Sequence, residues 1–308
     1  MQSKAQFPSD GLTLSGTLHV PDDLSAPRPA IAVLHGFGGN KDGKTHAIEA
    51  AMYERLGYVV LRFDMRGCGE SEGVRGRILC HDQVADTKNA VTYLATRPEV
   101  LPDRVAVSGQ SFGAAVAVYT AGIDERIAAV ISMGGWGDGL RKFRGQHPGS
   151  EAWARFTKML EDGRKYREAN GKSLMVPRWD IVPVPEHLRA NLPPGSIMEF
   201  PAETAQSMCD FRADDVVGNI APRPLLLIHA ANDSVTPTEQ SIELFKHSGR
   251  GAELIVLDGI DHFPFASESS RIRDILKGWL AVNFPLVGRS GAPAPHRFRN
   301  VVDLGPEK

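Results

Sequence analysis

Cysteine is scarce in this chain: 308 residues hold three, Cys68, Cys80 and Cys209. An odd, sparse set provides no disulfide framework, so a reducing cytoplasm is expected rather than a secreted scaffold. Neither sign of charge is in excess, with 35 Lys and Arg against 37 Asp and Glu. That balance gives no electrostatic footprint for nucleic acid or an acidic membrane surface. No stretch approaches the ~18–20 apolar residues of a membrane span, and the opening Met1-Gln2-Ser3-Lys4-Ala5-Gln6-Phe7-Pro8 lacks the apolar centre of a secretory signal. His-Glu-x-x-His and Cys-x-x-Cys are missing, which removes the common metal-ligand spacings. The glycine-rich runs at 35–39 and 133–137 lack the Gly-Lys-Ser/Thr of a phosphate loop. No metal or cofactor is expected, the expected partner is a small molecule, and a homo-oligomer is compatible with all of this.

What the chain does have is rhythm. Residues 4–7 and 12–20 alternate around Pro8-Ser9-Asp10-Gly11, the pattern of a β-hairpin. Short Val/Ile/Leu runs then alternate with helical patterns. Strands are predicted at 29–35, 58–63, 104–108 and 127–133, and helices at 45–56, 82–96 and 112–121. Such alternation predicts right-handed crossovers and an α/β fold, a mostly parallel, doubly wound sheet. The rhythm stops over residues 136–205, where prolines are dense and only one helical stretch, 151–169, stands out. A strandless segment that long is too much for a loop and predicts an inserted cap. The rhythm resumes with strands at 224–229 and 253–257 and helices at 237–247 and 268–284. The expected organisation is a core of 1–135 and 206–285, a cap of 136–205, and a loosely held tail of 286–308.

Between the strand at 104–108 and the helix after it lies Gly109-Gln110-Ser111-Phe112-Gly113. The pentapeptide alone arises by chance in about one chain of this length in ten, so its context must decide. Strand, tight turn and helix are the setting of a nucleophile elbow, in which the serine sits in a strained backbone and glycines flank it. A serine hydroxyl needs a base to take its proton, and the base needs an orienting carboxylate. Both belong on loops past the carboxyl ends of later strands. Asp233 follows the strand at 224–229, and His262 follows the strand at 253–257. Asp258 and Asp261 compete for the acid's place, but lying so close to His262 in sequence they would struggle to reach its far ring nitrogen, so Asp233 is preferred. A tetrahedral intermediate also needs backbone N–H donors. Phe112 supplies one, and the loop His35-Gly36-Phe37-Gly38-Gly39 supplies the other, from Phe37 first and Gly38 second.

The order Ser111, Asp233, His262, the His35-Gly36 motif and Asp64-Met65-Arg66-Gly67-Cys68-Gly69-Glu70-Ser71 resemble the α/β-hydrolase superfamily. The likeness runs from Lys4 to Phe284. It is nearest to the bacterial esterases of the cinnamoyl-esterase, dienelactone-hydrolase and prolyl-oligopeptidase-like group. Dienelactone hydrolases proper use a cysteine nucleophile, which Ser111 contradicts. The Asp64–Ser71 motif reads as architecture, with Arg66 tying loops together and His35 bonding within its own loop.

These residues predict a serine hydrolase acting by acyl transfer, its substrate a small or medium carboxylic ester. An amide or peptide hydrolase, a carbon–carbon hydrolase of diketones and a non-catalytic binding module are the rivals. Gln110 is expected to line the pocket, and Trp136, Tyr166 and Trp179, with Trp153 and Phe156, are candidates for an apolar wall from the cap. An Arg or Lys in that pocket would point to half-esters or free acids; an all-apolar lining would favour neutral esters.

Overall fold

The computed structural model describes residues 1–266 and 270–286. The tail beyond 286 and the first two residues of the helix predicted at 268–284 lie outside the described residues. Among the described residues are ten strands: β1 (Gln2–Ser9), β2 (Leu12–His19), β3 (Arg28–Leu34), β4 (Val59–Phe63), β5 (Val100–Gln110), β6 (Ile127–Met133), β7 (Met175–Pro177), β8 (Glu199–Pro201), β9 (Leu225–Ala230) and β10 (Ala252–Leu257). All but β7 and β8 join one sheet in the order β1-β2-β4-β3-β5-β6-β9-β10. The first three in that order are joined antiparallel, and every later pairing is parallel.

The hairpin turns at Asp10-Gly11, both with positive φ, the two-residue turn whose twist matches that of the flanking strands. Pro8 pairs with Thr13 on the outermost strand, where its missing N–H leaves no gap in a ladder. The inner strands read as unbroken apolar runs because both faces are covered. Ala30, Ala32 and Leu34 of β3 face one core, and Ile31 and Val33 face the other.

Nine helices are described: α1 (Lys44–Arg55), α2 (Cys80–Ala95), α3 (Phe112–Ile123), α4 (Gly139–Gln146), α5 (Gly149–Asn170), α6 (Arg178–Ile181), α7 (Ala202–Asp210), α8 (Glu239–His247) and α9 (Arg271–Asn283). Buried residues of α1 and α9 fill one side of the sheet, and those of α2 and α3 fill the other. In α3 ten of twelve residues are buried, most of them Gly, Ala or Val; small side chains let it press on the sheet and on α2 together.

Between β6 and β9 no strand enters the main sheet. The segment holds α4 to α7 and a ribbon of β7 against β8. The sequence pattern leaves that ribbon unseen, since each strand is three residues long and carries a proline. In α5 only Phe156 and Gly163 are buried. Ion pairs four residues apart, such as Lys158–Asp162 and Arg164–Glu168, lace its outer surface.

Chain direction fixes where the site must be. From β3 the chain moves to β4 on one side, and β5 then lies on the other. The loops after β3 and β5 therefore part at the carboxyl edge, the crevice where open α/β sheets bind ligands.

Candidate active site

Ser111 stands in that crevice with φ 53° and ψ −115°, a left-handed backbone for a residue with a side chain, of the kind that tight functional turns hold under strain. Its N–H donates to Met133 O at 2.8 Å, which ties the turn to β6. Gly113 permits the crossing, because a Cβ there would come within 2.6 Å of Leu34 O and 2.7 Å of His35 O.

His262 Nε2 lies 2.8 Å from Ser111 Oγ, and its Nδ1 lies 2.9 and 3.0 Å from the two Asp233 oxygens. The carboxylate can only accept at neutral pH, so Nδ1 carries the proton and Nε2 accepts from the serine. Burial pushes the Asp233 carboxyl up. Attraction to the His262 ring, which is felt in full once that ring is protonated, and hydrogen bonds from His229 and His262 outweigh it and hold it well below the ordinary carboxylate range. The N–H groups of Val235 and Thr236 also donate to Asp233 Oδ1, at 2.8 and 2.7 Å. Asp261 is occupied elsewhere: it accepts from Ser234 N and Oγ and from the His262 backbone N–H.

The loop after β3 lies beside the serine, with a Cβ on Gly36 only 3.7 Å from Ser111 Cβ. Gly36 O accepts from Gly39 N at 3.0 Å and from His35 Nδ1 at 2.9 Å. A trans peptide aims its N–H opposite its C=O, so the Phe37 N–H faces away from both bonds. The Phe112 N–H is the first of α3 and has no partner within a helix. Among the described residues neither N–H is paired. His35 Nε2 accepts from Met65 N at 3.1 Å, and Arg66 bonds Asp86 and Asp10; both motifs serve as loop ties.

A pocket opens over Ser111 and His262, with about 550 Å³ of empty space when the solvent at its mouth is included. Phe37, Val182, Val184, Leu192, Pro193, Val235 and Phe263 give it apolar walls; Thr45, His46, Gln110, Arg178 and Asn191 add polar groups. Gln110 lines it, but its amide turns inward and donates to Glu49 Oε2 at 2.6 Å. Trp136, Tyr166 and Trp179 do not reach this lining, which corrects the expectation for the aromatic wall. Trp136 is 1% exposed and packs under Phe112, with Lys142 Nζ 4.7 Å above its ring. Tyr166 is 42% exposed on α5. Trp179 packs against the Arg178 and Arg189 guanidinium groups, the latter 4.4 Å from its ring.

Three buried groups escape a sequence reading. Glu49, on α1, is fully buried and accepts from Ser108 Oγ at 2.5 Å; burial pushes its carboxyl up to about 7. Its helix pattern is that of any amphipathic helix, and nothing local marks the buried glutamate. His46 is held neutral by burial, its imidazole pushed down to about 3. Arg178 is 3% exposed and donates to Phe37 O at 2.5 Å and Ile197 O at 2.8 Å. It adjoins Trp179, and an arginine in a proline-rich segment was the only sign of it. Among the described residues no cluster of His, Cys, Asp and Glu is placed to hold a metal, and no helix is long and apolar enough to cross a membrane.

The family described as X-Pro dipeptidyl-peptidase (S15 family) matches residues 10–263. The chain belongs to the S15 peptidase family. This S15 protein is therefore an α/β-hydrolase, as its motifs imply. Among curated relatives it is 26% identical to the polyketide transferase grgF of a Penicillium species, over 88% of this chain and 94% of that protein. The crystal structure of GrgF from Penicillium sp. sh18 superposes with a TM-score of 0.77 at 25% identity, covering 92% and 99% of the two chains. The quorum-quenching protein AidA of Acinetobacter baumannii (strain MDR-ZJ06) is 35% identical over 46% of this chain; the chain spans about half, 47%, of that relative. Est1E of Butyrivibrio proteoclasticus, solved with ferulic acid, shares the fold at 18% identity and a TM-score of 0.67, covering 91% of this chain and 98% of that one.

Proposed function

We propose that this hydrolase is a serine esterase that cleaves a carboxylic ester of small to medium size through an acyl-enzyme. The observation that carries the reading is the unbroken line Ser111 Oγ, His262 Nε2, His262 Nδ1, Asp233, with 2.8 and 2.9 Å links. In the first step Oγ attacks the ester carbonyl as its proton passes to His262 Nε2. The ionised Asp233 holds the ring in the tautomer this requires and stabilises the imidazolium. The N–H groups of Phe37 and Phe112 receive the oxyanion, each worth about 3–4 kcal/mol to the transition state. His262 then returns the proton to the departing alkoxide, and water repeats the sequence on the acyl-enzyme.

Ester cleavage fits this cavity better than dipeptide release. A dipeptidyl-peptidase must hold a free N-terminal ammonium, which calls for an acceptor carboxylate. The described lining has no Asp or Glu and has a buried arginine instead, a cation that repels an ammonium. The region 136–205 acts as the cap that shapes this pocket, and the three free, buried cysteines suit a reducing compartment such as the cytoplasm.

The test uses a fluorophosphonate probe with matched ethyl ester and anilide substrates. Ser111 is labelled and the ester is turned over much faster than the anilide. Ser111→Ala loses both labelling and turnover while keeping its circular dichroism spectrum. An Ser111→Ala protein that retains most of its esterase rate rules the mechanism out.

A further inference from the structure

We infer that Arg178 is a carboxylate-recognition site, so that the ester hydrolysed here also carries a free carboxylate. The inference rests on the esterase reading for the word ester, but its own ground is independent of catalysis.

Arg178 enters at the start of α6 with its side chain 3% exposed, in the wall of the cavity that holds Ser111. Two of its five N–H groups are engaged, both by neutral carbonyls, Phe37 O and Ile197 O. Nε is buried with no hydrogen-bond partner. Among the described residues no Asp or Glu lies within ion-pair reach; the neighbours are the rings of Phe37, Trp179 and Phe200, 5.3 to 5.9 Å from the guanidinium carbon. Other buried cations of this protein show both solutions: Arg66 has Asp86 and Asp10, and Lys41 has Asp64 and Glu70, whereas Lys142, like Arg178, has a neutral partner, Gln146 Oε1, and aromatic rings; of these two only Arg178 lines the cavity over Ser111. A guanidinium remains charged at neutral pH even though burial lowers its proton affinity to about 10. A buried cation without a counter-ion is expensive, and its natural complement is an anion that arrives with the ligand.

Two features narrow that anion to a carboxylate. The planar fork of a guanidinium matches a carboxylate, and a single cation offsets a single negative charge, whereas a phosphate dianion would exceed it. The second unpaired polar atom in the same lining is His46 Nδ1, which is buried and belongs to a neutral ring. It can donate one more hydrogen bond without adding charge. Gly38 makes room for this arrangement: a Cβ there would fall 2.8 Å from Arg178 Nη1.

A purely structural arginine, pinning the Phe37 loop, makes a different prediction, and monoethyl adipate and ethyl hexanoate separate the two. They share the ethyl ester and chain length and differ in one terminal carboxylate. Binding is measured by calorimetry on Ser111→Ala protein, and ethanol release on the wild type. The half-ester should bind and react at least tenfold better. Arg178→Met should bring the two esters within twofold, and Arg178→Lys should keep part of the preference. Equal binding of the two esters to Ser111→Ala protein overturns the inference without any change at Arg178, so a poorly folding Arg178→Met cannot shield it. A preference that survives Arg178→Met overturns it as well. Selective binding with no hydrolysis of either ester would uphold the carboxylate site and defeat the esterase reading. Hydrolysis without preference would do the reverse.

Discussion

Glu49 sits one layer below Ser111, where Ser108 Oγ and Gln110 Nε2 donate to its two oxygens at 2.5 and 2.6 Å. Tyr53 OH closes the cluster, 3.1 Å from Ser108 Oγ. Burial opposes ionisation more strongly than these donors favour it, and the carboxyl is pushed from its ordinary 4.5 to about 7. An acid whose proton affinity rises on folding stabilises the fold most at low pH. The contribution is fully present below 4.5 and is lost as pH rises through about 7. At about 1.4 kcal/mol per tenfold change in proton affinity, the whole effect is about 3 kcal/mol, and most of it falls between pH 5 and pH 8.5. Glu49→Gln keeps the shape and removes the ionisation, and both Ser108 and Gln110 can reverse their hydrogen bonds to suit an amide. Urea unfolding of the two proteins at pH 5, 7 and 8.5 isolates this group, because titrations elsewhere cancel in the difference. The variant should gain on the wild type by about 2 to 3 kcal/mol across that span. A difference that stays flat with pH refutes the reasoning, for it would mean that Glu49 is ionised in both states throughout.

Asp233→Asn should lower kcat by about 10⁴, as loss of a triad carboxylate does where the ring is left in the wrong tautomer; KM should move little, which steady-state kinetics at pH 7.5 will check. Gly113→Ala forces a methyl against the Leu34 and His35 carbonyls. It should destabilise the protein by about 3 kcal/mol, and an unchanged thermal melt would mean that the β3 loop can withdraw from α3.

The sheet and the line from Ser111 to Asp233 were legible because their constraints are local. A tight turn between a strand and a helix leaves its mark within five residues, and residues past the ends of β9 and β10 can be located by counting from apolar runs. The pocket obeys no such rule. Trp136 looks like a wall residue, yet it follows β6 directly into the core, and the burial of its ring is settled by α4 and Phe112. Glu49 and Arg178 resemble solvated surface charges; what makes them buried is a contact with chain more than fifty residues away, with Ser108 and Gln110 for the one and Phe37 for the other. The β7–β8 ribbon leaves no mark in the sequence for the same reason, since each strand is held by the other.

Two hydrogen bonds to the loop after β3 set a limit on how this fold can be rebuilt. Ile197 N donates to Gly38 O at 2.9 Å, and Arg178 donates to Phe37 O. The segment over the pocket thus grips the very loop proposed to receive the oxyanion. A chimera that transplants a relative's residues 136–205 onto this sheet would exchange the pocket and release that loop together. Recombination along that seam therefore trades selectivity against rate unless residues 36–39 travel with the graft.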